Sequence, residues 1–172
     1  MRRYELVHIF ARRLNMKVGR VQAILSKLQE AGTVSSPGES KGHPMDLAEP
    51  EITTFLIALL GERGIASGSE AAETFAPLTA DDGYGFDSFL SAALFGPPLS
   101  IRFLMVRQEP AGVSVVVDGA HVLFGEPPSL SNASPARIIS GEALAAIAAE
   151  LRGMTPEQAD AAAALDQLKR PA

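Results

Sequence analysis

Apolar residues recur at helical spacing through the first sixty residues and at alternating spacing after about residue 100, so helices come first and strands later. Leu6, Ile9, Phe10 and Leu14 predict a helix over Tyr4 to Leu14. Val21, Ile24, Leu25 and Leu28 predict a second over about Val18 to Ala31, ended by Gly32. From Thr33 to Leu47, short β-prone stretches flank a turn-rich centre, which predicts a hairpin. The run TFLIALL within Ala48 to Leu60 is apolar on several sides and predicts a buried helix. Residues 61–85 predict a loop, a short helix at Glu70 to Phe75 and a second loop, and Asp87 is expected to cap a helix ending at Phe95. Three antiparallel strands are expected at Leu99 to Gln108, Gly112 to Asp118 and His121 to Gly125, with Asp118-Gly119 as the tight turn of a hairpin. Arg137 to Ile139 is expected to add a short fourth strand. Ser140 opens the helix ALAAIAAEL, and Thr155-Pro156-Glu157-Gln158 opens a last, alanine-rich one with a capping box.

Four positions in the first two helices give this pattern a functional meaning. Small Ala11 stands where two helices would cross closely, and Asn15 stands at a turn that needs a left-handed backbone. Val21 and Ile24 bury one face of the second helix, which leaves its opposite face for a DNA groove. This is helix-turn-helix spacing. The order helix, turn, helix, hairpin, helix over residues 4 to 62 resembles the MerR-like winged-helix group, which includes excisionases and small terminase subunits of phages. The resemblance implies an N-terminal winged module that docks on double-stranded DNA, with the hairpin as its wing.

Charge sharpens the expectation. The whole chain carries −5, which by itself argues against a nucleic-acid partner. Residues 1–41, however, hold eight basic side chains against three acidic ones, and the rest holds seven against seventeen. A basic end on an acidic body is the charge pattern of a DNA-docking module joined to something else. The second helix would present Lys17, Gly19, Arg20, Gln22, Ala23 and Ser26 to base edges, with Arg20 suited to guanine and Gln22 to adenine. Lys27, Arg12, Arg13, Arg2 and Arg3 would meet phosphates, and Lys41 at the wing tip a phosphate or the minor groove.

The remaining composition mostly excludes. There is no cysteine, so disulfides and thiolate metal sites are out. No apolar run approaches the ~20 residues of a membrane span, and the first fifteen residues do not read as a secretory signal. A cytoplasmic protein is the expectation. The aromatics are too few for a stacking platform on single strands. His8, His43 and His121 are scattered without metal-ligand spacing, DDGYGFD misses the calcium-loop spacing, and no nucleophile elbow, phosphate loop or HExxH occurs. Neither catalysis nor a cofactor is expected.

The expected fold class is α+β: a winged module at 1–62, a linker with a short helix at 63–85, and an α+β module at 86–172 for oligomerisation or a protein partner. The expected function is sequence-specific DNA binding by a phage or mobile-element transcriptional regulator acting as a homo-oligomer. A small terminase subunit, assembled as a ring, and a winged-helix adaptor between proteins are the alternatives.

Overall fold

The computed structural model describes residues 2–36, 46–129 and 133–168, and in these it is an α+β molecule with seven α-helices and one antiparallel sheet. Helix α1 (Arg3–Arg13) buries Leu6, Val7, Ile9 and Phe10, and Ala11 is buried where the next helix approaches. The chain turns at Asn15, whose φ of 51° is the left-handed backbone expected there. Helix α2 (Val18–Glu30) buries Val21, Ile24, Leu25 and Leu28, and Gly32 follows at φ 73°. The wing expectation rests largely on residues 37–45, which lie outside the described residues, as does Lys41. The flanking residues 33–36 and 46–48 form no strand.

Helix α3 (Glu49–Gly61) is the central post. Every residue from Phe55 to Gly61 is buried, as its unbroken apolar run requires. Phe10 of α1 meets Phe55 edge to face at 5.3 Å. A 3₁₀ turn (Ile65–Ser67) leads into α4 (Gly68–Phe75), which packs so closely on α3 that a Cβ on Gly61 would stand 2.4 Å from the Phe75 ring. Only glycine fits at Gly61. The joint expected at 63–85 is thus not a free linker: Phe75 is buried and bound into the same apolar cluster that runs from Leu6 to Ile147.

Helix α5 (Phe86–Phe95) begins one residue earlier than expected, and Asp87 does not cap it. Its Oδ1 instead accepts the neighbouring Ser88 N–H, because Gly85 already occupies the cap position. Strands β1 (Ile101–Arg107), β2 (Gly112–Val117), β3 (Ala120–Gly125) and β4 (Ala136–Ser140) form a sheet in the order β3-β2-β1-β4, every neighbouring pair antiparallel. Asp118 and Gly119, both at positive φ, make the β2–β3 turn as anticipated. Register places Ile139, Leu104, Val115 and Val122 in one row and Arg137, Val106, Val113 and Phe124 in the next. These rows form the inner face, where Phe124 packs 5.5 Å from both Phe86 and Phe89 of α5. Helix α6 (Gly141–Leu151), capped by Ser140 Oγ, also packs on this sheet. Helix α7 (Pro156–Leu168) lies on α6 through a small cluster of Ala146, Ala149 and Ala159, and Thr155 and Gln158 close the expected capping box. No helix of the described residues is long and apolar enough to cross a membrane.

Candidate nucleic-acid interface

The burial of α2 decides which of its residues face outward. With Val21, Ile24, Leu25 and Leu28 committed to the core, the 3.6-residue period turns Lys17, Gly19, Gln22, Ser26 and Lys27 to solvent, with Ala23 half-exposed between them. No carboxylate interrupts this face before Glu30, to which Lys27 is paired at 2.6 Å. The Ser26 hydroxyl donates to the Gln22 main-chain carbonyl at 3.1 Å, and Gln22 itself is exposed. A Cβ on Gly19 would meet nothing within 4 Å, so the first turn of α2 is flat and open.

The expected arginines behave differently. Arg20 turns away from that face and grips Glu62, at the C-terminal end of α3, with Nη2 at 2.8 Å from both carboxylate oxygens and Nε 3.1 Å from one. The Glu62 side chain is 0% exposed, and it also accepts from Arg137 of β4 at 3.1 Å. Hydrogen bonding to Glu62, and then its charge, hold Arg20 above the ordinary arginine value. A guanidinium held by such a fork is an anchor between α2, α3 and β4, not a free reader of guanine.

Arg12 and Arg13 have a similar fate. Both donate to Glu150 of α6, whose side chain is 4% exposed, Arg13 through Nε at 2.6 Å. Arg13 also bonds Asp160 of α7 and the Pro156 carbonyl. These two arginines therefore tie α1 to the C-terminal helices instead of standing free for phosphates. Arg3 reaches the Ser35 carbonyl at 2.8 Å and its hydroxyl at 3.1 Å. Arg2, at the N-cap of α1, remains exposed.

Beside Arg3, Glu51 closes the base of the segment between α2 and α3. Its two oxygens accept the Ser35 N–H at 2.7 Å and the Ala48 N–H at 2.8 Å. Burial opposes ionisation of Glu51, but these N–H groups, the Ser35 hydroxyl and the charge of Arg3 outweigh it and hold the carboxyl below its usual range.

Sequence reasoning assigned the basic residues and missed their acidic partners, Glu62, Glu150 and Glu51. Glu51 had a local signal, since it stands at the third position of a helix and can reach back to the cap. Glu62 and Glu150 had none, because Arg20 is 42 residues from its partner and Arg12 is 138 from its own. Of the histidines, His8 packs edge-on against Tyr4 at 4.2 Å and His121 is exposed on β3, while His43 lies outside the described residues. Among the described residues no group of His, Asp or Glu is arranged to hold a metal ion. Compared with protein-family models, with curated proteins and with solved structures, the chain matches none.

Proposed function

We propose that the chain binds double-stranded DNA through the exposed face of α2, as a sequence-specific regulator or packaging protein. The observation that carries this reading is the surface from Lys17 through Gly19, Gln22, Ala23 and Ser26 to Lys27: exposed, small or polar, and free of carboxylates until Glu30. Gln22 is the residue for a base edge, suited to adenine N6 and N7. Lys17 and Arg2 supply phosphate contacts, and so does Lys27, whose exposed surface pair with Glu30 a phosphate can displace. Arg20 sets the angle of the helix from behind.

Withdrawing Arg12, Arg13 and Arg20 into ion pairs lowers the expected salt dependence. About three phosphate contacts predict a slope of roughly −3 in log K against log salt, where five or six freely exposed arginines and lysines would give about −5. Fluorescence anisotropy with duplex DNA at ~50 mM salt tests this, since the phosphate contribution alone should be visible there. Lys17→Ala is expected to weaken binding evenly across sequences and reduce the slope by about 1, whereas Gln22→Ala relaxes sequence preference. Absence of binding at that salt overturns the proposal.

One observation favours a second reading. Arg20 is turned to Glu62 and Lys27 is paired with Glu30, which leaves a weakly charged α2 face suited to a protein partner as an adaptor. Under it, Gln22→Ala and Lys17→Ala leave duplex binding at the level of any acidic protein while abolishing capture of the partner.

A further inference from the structure

Beside Glu62, where α3 ends, β1 ends and β4 begins, the fold leaves a cavity of about 360 Å³. Leu60, Pro135 and Ala136 give it an apolar wall, and Arg63, Gln108 and Arg137 give it hydrogen-bond donors. Arg137 donates through Nη1 to the Leu59 carbonyl and through Nη2 to Glu62 at 3.1 Å. Among the described residues, its Nε–H and one hydrogen on each Nη are unspent. Arg63 donates through Nε to the Gln108 amide oxygen at 3.0 Å and through Nη1 to Glu109 at 2.6 Å. That last pair is open to solvent on both sides, at 55% and 69% exposure, so it is worth little and a competing anion can displace it.

Charge decides what the cavity takes. The guanidinium groups of Arg20, Arg63 and Arg137 stand against only the carboxylates of Glu62 and Glu109, which leaves one positive charge in excess. Glu62 is buried and already shared between Arg20 and Arg137, so it offers nothing to a cationic ligand. We propose that this cavity binds a compact organic acid, its carboxylate held by Arg137 and Arg63 and its apolar body lying on Pro135 and Ala136. A carboxylate matches the forked donors of a guanidinium, and such charge-assisted bonds are about twice as strong as neutral ones. The volume stands near the lower end of the roughly 300–1,000 Å³ of small-molecule sites. A bare inorganic ion would leave the apolar wall and most of that space to water. The inference is independent of what α2 binds.

Amide NMR titration of the full, isotopically labelled chain with benzoate tests it. Inorganic phosphate and benzyl alcohol, at matched ionic strength, supply the charge without the body and the body without the charge. Benzoate is expected to move the amides of Gln108, Glu109 and Arg137 together and saturably, with a Kd of about 1 mM for a ligand of so few atoms. Both other probes should bind at least tenfold more weakly. Arg63→Gln is expected to weaken benzoate roughly tenfold, as loss of a charge-assisted contact does. Glu109→Gln, which frees Arg63, should tighten it about threefold. Both positions are exposed, so the remaining amide spectrum should stay unchanged. Glu157→Gln makes the same change of charge on the exposed side of α7 and should leave the Kd where it was. Absence of saturable shifts up to about 20 mM benzoate overturns the proposal. So does a Kd equal in wild type, Arg63→Gln and Glu109→Gln, because that ligand sits elsewhere. Phosphate or benzyl alcohol binding as tightly as benzoate overturns the assigned ligand class.

Discussion

Arg20 illustrates how one side chain's partner decides its role. Its guanidinium makes a two-pronged contact with a carboxylate that has no solvent of its own, so removing it leaves Glu62 buried with only Arg137 to answer its charge. Arg20→Ala is expected to destabilise the fold by about 2 kcal/mol, less than the ~3–5 kcal/mol of a fully buried pair because Arg137 remains and Arg20 is partly solvated. For a chain of this length that is a melting temperature lower by roughly 4–8 °C. Arg20→Lys should recover little of it, since an ammonium cannot reproduce the fork. If Arg20→Ala instead melts like the wild type and loses only DNA discrimination, the anchoring role is mistaken. Glu51 gives a pH-dependent counterpart. Its carboxyl is held below the usual range, so the stability it contributes is fully present above the unfolded glutamate pKa of about 4.3. That contribution fades as pH falls through the lower folded value. Chemical denaturation of wild type and Glu51→Gln at pH 7 and pH 3 should show a difference at neutral pH that shrinks in acid; an equal difference at both would mean that Glu51 acts through shape and not charge.

At the scale of the element, α2 is held by its apolar stripe and left open on its other side. Gly19 sits in its first turn with room for a methyl group. Gly19→Ala should therefore stabilise the protein by about 0.5–1 kcal/mol, as replacing a helical glycine does. If a DNA backbone lies against that turn, the same variant binds duplex more weakly although it melts later. Unchanged affinity would move the contact elsewhere on the helix. Elements of this kind were legible in the sequence because their signals are local. The stripe of Val21, Ile24 and Leu28, the left-handed Asn15, the Asp118-Gly119 turn and the Thr155 capping box each depend on residues a few positions apart. What was illegible is long-range. The partners of Arg12, Arg13 and Arg20 lie in other helices, and nothing in a linear sequence marks which carboxylates will be buried opposite which arginines. The same blindness made residues 63–85 read as a joint, since the close fit of Gly61 against Phe75 exists only once α3 and α4 are packed.

Taken whole, helices α1 to α6 and the sheet share one apolar cluster, with α3 in contact with both α2 and β1, while α7 rests on α6 through its small alanine cluster. A separate N-terminal module would melt on its own; a shared core should not. Differential scanning calorimetry is expected to give a single transition whose calorimetric and van't Hoff enthalpies agree, and two resolved transitions would restore the two-module view.

Glu62 then acquires a role beyond stability. It is a shared terminal: Arg20 reaches it from α2, and Arg137 reaches it from β4. A ligand on α2 and any disturbance of β4 would each bias the same three-way junction. Linkage makes any such influence reciprocal, so a duplex seated on α2 should change the opening of β4 as read by amide hydrogen exchange. That change should shrink in Glu62→Gln, where the junction has lost the charge both arginines share. An identical change in wild type and variant would show that α2 and β4 communicate by another route or not at all.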